Sequence, residues 1–183
     1  MNFSQNCAKN VMKFLEDSKR ICHADAATLY LESLDRKSLR FFMRTRHDEL
    51  PVHEIPLFDI DGIEPNCFHL STYVYHCESA VRIDDVYSEK RFDLSGTQEF
   101  DSRTGYFTKS IIAVPIIEEC GRSAGVLQLM NVKDRACDEI ISFSDDDQRY
   151  LERIACKIGL ELFVKSPSLP SSVVISSRTG WSV

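Results

Sequence analysis

Between residues 3 and 21, apolar side chains fall at Phe3, Cys7, Val11, Phe14, Leu15 and Ile21, with Lys, Asp, Glu and Arg between them. Steps of three and four residues place most of these on one face of a helix. The rhythm then changes. Ala27, Leu29 and Leu31 alternate with Thr28, Tyr30 and Glu32, the period of a half-buried strand. A polar turn, Asp35-Arg36-Lys37-Ser38, leads into a second alternating stretch, with Leu39, Phe41 and Met43 set against Arg40, Phe42 and Arg44. Two such strands joined by a short polar turn predict a hairpin.

Residues 47–68 carry Pro51, Pro56, Gly62 and Pro65 and read as loop, with a short strand near 55–58. A short helix is predicted over 70–77, with Ser71 or Thr72 near its start, followed by an edge strand at 80–83. Residues 84–107 read as one long polar loop holding Asp84, Asp85, Arg91, Asp93, Asp101 and Arg103. A loop of that length inside a domain usually has a function or is disordered. Two apolar strands follow, 110–117 and 124–131, joined by Glu118-Glu119-Cys120-Gly121-Arg122. Ser144 with Asp147 three residues on has the spacing of a capping box, and Asp145 and Asp146 suit the positive end of a helix. Tyr150, Leu151, Ile154, Ile158 and Phe163 supply that helix with an apolar stripe. The order predicts an α+β domain over residues 1–165: a central antiparallel sheet of about six strands flanked by helices, the two terminal helices packed together. Residues 166–183, rich in Ser and Pro at their start, read as a linker or tail.

A net charge of −6 argues against a general nucleic-acid binder and against an anionic membrane surface. The longest apolar run, 111–117, is too short to span a bilayer, and the N-terminus lacks the order of a signal peptide. Seven cysteines, irregularly spaced and without a C-x-x-C pair, fit reduced thiols in a cytoplasmic protein better than a disulfide framework. No phosphate-binding glycine loop, nucleophile elbow or H-E-x-x-H motif is present, so the chain reads as a binding or sensing module and not as an enzyme. Cys67, His69, His76 and Cys77 are the one cluster of metal-type ligands; on a helix, 77 lies about 100° round from the face shared by 69 and 76, which disfavours closure on one zinc. The His47-Asp48 dipeptide, with His53, lacks the further ligands that metal-dependent phosphohydrolysis needs. No metal site is expected.

The residues that carry a family likeness are Ile83-Asp84-Asp85-Val86-Tyr87, Arg91-Phe92, the run Phe100-Asp101-Ser102-Arg103-Thr104-Gly105-Tyr106-Phe107-Thr108, the Val114-Pro115-Ile116 strand, and Gly125-Val126-Leu127-Gln128-Leu129-Met130-Asn131. Together they resemble a GAF domain, most of all those of cyclic-nucleotide phosphodiesterases and bacterial signalling proteins, over about residues 1–165. The resemblance implies a GAF/PAS-like fold and a small-molecule ligand, with a cyclic nucleotide as the candidate and no other cofactor. It places ligand-facing groups at Asp101, Thr104 and Thr108, at Gln128, and at Leu70 and Ser71 on a helix start. Phe41 or Phe42 would serve as an aromatic platform, although the family's stacking aromatic falls nearer Arg44. The family's Asn-Lys…Phe-x-x-x-Asp-Glu signature is matched by Asn131, Phe143 and Asp147, whereas Val132 and Gln148 stand where lysine and glutamate are expected. Lys133 would then stand in for the lysine, one position along the strand. His69-Leu70-Ser71-Thr72 replaces a glycine-containing helix start, which narrows any phosphate cradle.

The resemblance implies a regulatory sensor that passes ligand state through its terminal helices, working as a homodimer with an output domain or partner outside this chain. Two other readings stand beside it. One is a ligand-free dimerisation scaffold. The other is a free-standing methionine sulfoxide reductase, for which Cys120 and Cys137 are the loop thiols.

Overall fold

Ser4 opens the first helix, α1 (Gln5–Cys22), by accepting the Cys7 N–H on its hydroxyl at 3.2 Å, and His23 closes it in a left-handed conformation. Cys7, Val11, Leu15, Ser18 and Cys22 form its buried stripe, and Lys19 and Arg20 sit in the last turn, where the helix dipole favours cations. The computed structural model describes residues 4–45 and 54–164. Phe3, the His47-Asp48 dipeptide, Pro51, His53 and the 166–183 tail lie outside the described residues.

Strands β1 (Ala24–Glu32) and β2 (Ser38–Arg44) form the expected hairpin, and β3 (Glu54–Pro56) adds an edge. Helix α2 (Leu70–Cys77), edge strand β4 (Val81–Ile83) and helix α3 (Ser95–Thr104) come next. Strands β5 (Ile111–Ile117) and β6 (Ser123–Val132) follow, then α4 (Asp145–Gly159), which runs into a π-helical turn, Leu160–Val164. The sheet has the order β3-β2-β1-β6-β5-β4 and is antiparallel throughout. Ser144 and Asp147 form the reciprocal capping box expected at the start of α4. The terminal helices lie side by side: Asn10 donates to the Glu161 carboxylate at 2.7 Å, and the Cys7 thiol donates to the Glu161 carbonyl. Among the described residues no helix is long and apolar enough to cross a membrane.

Two expectations change. β1 is not half-buried, because both faces of the sheet are covered. Ala27, Leu29 and Leu31 join Ile112, Val114, Leu127 and Leu129 in an outer core beneath α1 and α4. Ala26 and Tyr30 join Val126, Met130, Ile111, Leu70 and Val74 in an inner core beneath α2. Residues 84–107 are not one loop either, since α3 lies within them. This helix was illegible because it has no apolar stripe; its only buried residue is Asp101. A bulge in the hairpin between Leu29 and Tyr30 sets Phe41 opposite Tyr30 and Arg44 opposite Thr28, while Phe42 and Met43 pack on the outer core.

At one end of the sheet the buried Glu32 carboxylate takes two hydrogen bonds from Arg122, at 2.8 and 2.9 Å, and one from the Tyr75 hydroxyl at 2.5 Å. Burial, then the Glu32 hydrogen bond, pushes the Tyr75 phenol well above its ordinary range. This knot ties β1, α2 and the β5–β6 turn. Close backbone approach fixes two glycines. A Cβ at Gly125 would stand 2.4 Å from the Tyr30 carbonyl oxygen, and one at Gly159 would stand 2.6 Å from that of Ile117. Alanine in a helix ordinarily gains about 0.8–1 kcal/mol over glycine. Gly159→Ala is expected to lower stability instead, by about 1–3 kcal/mol, because α4 must lift from β5. Urea denaturation measures it, and an unchanged or raised midpoint refutes the close-packing argument.

Candidate functional site

The first turn of α2 meets the middle of the sheet. Gln128 lies at the centre of β6, opposite Thr28 on β1 and Ala113 on β5. Its amide donates to the Ser71 hydroxyl at 3.0 Å, both side chains being buried. Leu70 and Thr72 are buried on either side of Ser71, and Thr72 turns its hydroxyl back onto the His69 carbonyl at 3.1 Å. His69, the residue before the helix, offers no side-chain cap; its ring faces the Asp93 carboxylate at 3.6 Å. Hydrogen bonds from Ser95 hold the Asp93 carboxyl below its usual range, with His69 adding a smaller pull in the same direction.

A second polar group forms around α3. Asp101 is buried, and its carboxylate accepts three hydrogen bonds: the Thr108 N–H at 2.6 Å, the Thr108 hydroxyl at 2.8 Å and the Tyr87 hydroxyl at 2.9 Å. The helix ends at Gly105, which has φ of 69° and returns its N–H to the Asp101 carbonyl at 2.9 Å. Tyr87 stacks on Phe107 with ring centres 5.1 Å apart. On the other side, the Arg44 guanidinium lies 4.6 Å over the Phe100 ring and joins β2 to α3. Phe41 meets Tyr30 edge-on at 6.0 Å. Burial pushes the Tyr30 phenol upward, against the opposing pull of Arg44.

Asn131 stitches the end of β6 to the segment leading into β5. Its side-chain oxygen accepts the N–H groups of Lys109 and Ser110, at 2.7 and 3.3 Å. Its amide donates to the Phe107 carbonyl at 2.7 Å and to the Tyr106 hydroxyl at 2.9 Å. Asn131 itself has φ of 56°, a conformation asparagine tolerates better than most residues. Beyond it, Lys133 pairs with Asp25 at 2.9 Å, which raises its ammonium pKa, and more distantly with Asp138 at 3.6 Å.

No protein-family model matches the chain. Over 156 residues it is 27% identical to the probable 3',5'-cyclic phosphodiesterase pde-5 of Caenorhabditis elegans, covering 83% of this chain and 20% of that one. Over 102 residues it is 32% identical to the dual 3',5'-cyclic-AMP and -GMP phosphodiesterase 11 of Drosophila melanogaster, covering 53% of this chain and 6% of that one. The chain thus spans a fifth or less of the length of these relatives. Among solved structures, the GAF domain of a two-component sensor histidine kinase from Bacillus halodurans superposes with a TM-score of 0.60 at 15% identity, over 88% of this chain and 95% of that one. The chain has the GAF fold. A type II free methionine-R-sulfoxide reductase from Thermoplasma acidophilum shares it, with a TM-score of 0.58 at 17% identity over 86% of this chain and 94% of that one.

Within this fold the expected residues fall into groups. Leu70, Ser71 and Gln128 come together on the inner face. Asp101 and Thr108 are buried but are bonded to each other. Thr104 departs from the inward position expected of it: it is exposed, and its hydroxyl donates to the Phe100 carbonyl at 2.8 Å, as side chains in the last turn of a helix often do. Phe41 lies on the inner side, against Tyr30. Phe143 is buried in the outer core, and Asp147 is taken up by Ser144. Lys133 therefore pairs with an aspartate of β1 and not with Asp147. Tyr87 and the Arg44–Phe100 contact were missed, since partners so far apart in the chain leave no spacing to read.

Among the described residues, the cysteine and histidine candidates do not gather into a metal site. His76 donates from Nε2 to the Leu57 carbonyl at 2.6 Å, Cys120 is exposed in the β5–β6 turn, and Cys137 is exposed in a turn after β6. Among the described residues, no three His, Cys, Asp or Glu side chains gather as metal ligands. Two clefts of about 480 and 550 Å³ lie away from Gln128, one between α1 and α4 beside Cys22 and Tyr150, the other between α2 and β4 beside Tyr73, Arg82 and Arg91. Asp101→Ala removes the acceptor of three donors and is expected to cost about 2–3 kcal/mol. Tyr87→Phe, which loses a half-exposed hydroxyl, is expected to cost about 1 kcal/mol or less. Denaturant melts of the two variants rank them, and equal losses would show that Asp101 is not the anchor of α3.

Proposed function

We propose that this GAF domain is a regulatory, cytoplasmic sensor module that binds a small molecule between α2, α3 and the inner face of the sheet. The observation that carries this reading is the Ser71–Gln128 pair. A hydroxyl and an amide buried at the centre of an apolar face can trade their mutual hydrogen bond for bonds to a ligand, at little net cost in lost partners. Tyr30, Phe41 and Phe100 supply aromatic surface nearby, and the start of α2 offers backbone N–H groups suited to an anion. A cyclic nucleotide presents a base, a ribose and a phosphate to match, and the phosphodiesterase relatives support that choice. The domain in this role binds its ligand without transforming it.

Signal leaves through the other face. Gln128 alternates along β6 with Leu127 and Leu129, which pack in the outer core that seats α1 and α4. A shift of β6 on binding is therefore felt by both terminal helices, whose outward faces would pair with a second copy in a homodimer. To switch two helix arrangements from 1:99 to 99:1, the ligand must favour one by about 5.5 kcal/mol.

A ligand-free dimerisation scaffold is favoured by one observation: Asp101, Thr108 and Gln128 already have partners within the protein. Isothermal titration of the purified chain with cyclic AMP and cyclic GMP separates the two readings. The sensor reading expects saturable heat with one of them, and Gln128→Leu weakening the affinity about ten-fold or more. No heat from either, with no thermal shift, would leave the scaffold. Thiol-dependent reduction of free methionine sulfoxide, lost on changing Cys120 or Cys137 to Ser, would move the assignment to an enzyme.

A further inference from the structure

The cleft of about 550 Å³ beside α2 and β4 is large enough to hold a small ligand. Tyr73 and Phe92 give it aromatic surface. Their rings meet edge to face with centres 5.1 Å apart, and both pack against the inner core from its edge. Arg82 of β4 and Arg91 bring two cations to the same cleft, and Gln148 of α4 brings an amide. Among the described residues no carboxylate lines it.

Both arginines are held in place, yet neither has all its donors engaged. Arg82 uses one nitrogen, Nη1, for the Asp145 carboxylate at 2.6 Å and the Phe143 carbonyl at 3.3 Å. Its Nε and Nη2 have no protein partner among the described residues. Arg91 gives Nε to both oxygens of the Glu89 carboxylate, at 3.0 and 3.1 Å, and Nη2 to one of them at 2.6 Å. Its guanidinium also lies 5.3 Å from the centre of the Phe92 ring. Nη1 is left over. A guanidinium carries five N–H donors, so each of the two keeps some for an incoming oxyanion. Because both side chains are already fixed, little rotamer freedom is lost when they bind.

We propose that this cleft is a second binding site, separate from the Ser71–Gln128 centre, and that it takes a small aromatic phosphate monoester. The ring packs on Tyr73 and Phe92, and the phosphate accepts from Arg82 and Arg91. Two cations match the charge of a monoester, which approaches −2 at neutral pH. The chain as a whole is acidic, with a net charge of −6, so an anion is held here by local contacts and not by the overall field. The site also bears on α4. Arg82 ties β4 to Asp145 in the first turn of that helix and to the carbonyl of Phe143 just ahead of its cap, and Gln148 stands three residues after Asp145. A dianion on Arg82 competes with Asp145 for the guanidinium, so occupancy is felt at the start of the helix.

The test is a titration of the isotope-labelled full chain with phenyl phosphate, followed by amide NMR shifts. Saturable shifts clustered at residues 80–82, 91–92 and 145–148 are expected, with affinity falling as salt is raised. Phenol and inorganic phosphate each carry half of the ligand and should bind at least about ten-fold more weakly. Arg82→Gln and Arg91→Gln should each weaken phenyl phosphate by about ten-fold or more. Thermal melts establish that the variants are folded. Arg91 has an exposed side chain, so its variant carries the test if loss of the Asp145 link unfolds the other. Shifts that never saturate, inorganic phosphate binding as well as phenyl phosphate, or shifts confined to residues 70–72 and 128 overturn the proposal.

Discussion

Every one of the ten residues of β6 is buried, and the rest of the molecule is arranged around that fact. A strand enclosed on both faces and paired on both edges has no recourse to water, so each polar atom it carries must find a partner within the protein. Its backbone is satisfied by β1 and β5. Its side chains divide the interior: Leu127 and Leu129 face α1 and α4, while Val126, Gln128 and Met130 face α2. Gln128 is the one amide in the middle of that wall. It needs Ser71, and the position of α2 follows from the need. Asn131, at the far end, needs the segment entering β5, and its four contacts there settle where that segment runs.

The two sides of the sheet are held by different forces. On the outer side, long amphipathic helices bury continuous apolar stripes, the term that dominates stability. On the inner side, α3 is held by a carboxylate, a guanidinium over a ring and few apolar contacts. Elements fastened mainly by polar contacts belong to the part of a fold that opens most readily. A rigid face that carries the helices and a looser face that covers the polar centre is a division of labour suited to sensing.

Much of the architecture was legible in the order of residues. The terminal helices, the hairpin, the two apolar strands and the Ser144 cap each depend on neighbours within four positions or on a simple period, and the structure places all of them as expected. Helix α3 was not legible, because a helix held by Asp101 leaves no apolar rhythm. Burial of β1 on both faces was not legible either: Thr28 and Tyr30 read as a solvent-facing side, yet α2 and α3 lie on that side of the sheet.

For the site, residue types were readable and their relations were not. A hydroxyl at Ser71 and an amide at Gln128 are evident from the chain, but their meeting at 3.0 Å depends on a helix packing across two strands. Thr104 and Thr108 look equivalent in sequence. One faces solvent and the other is closed inside, since Gly105 turns the chain between them. Local periodicity, capping and composition act through adjacent residues and can be read along the chain. Partnerships across the sheet are made only when separate elements pack, because only then do their polar groups lose water and have to choose one another.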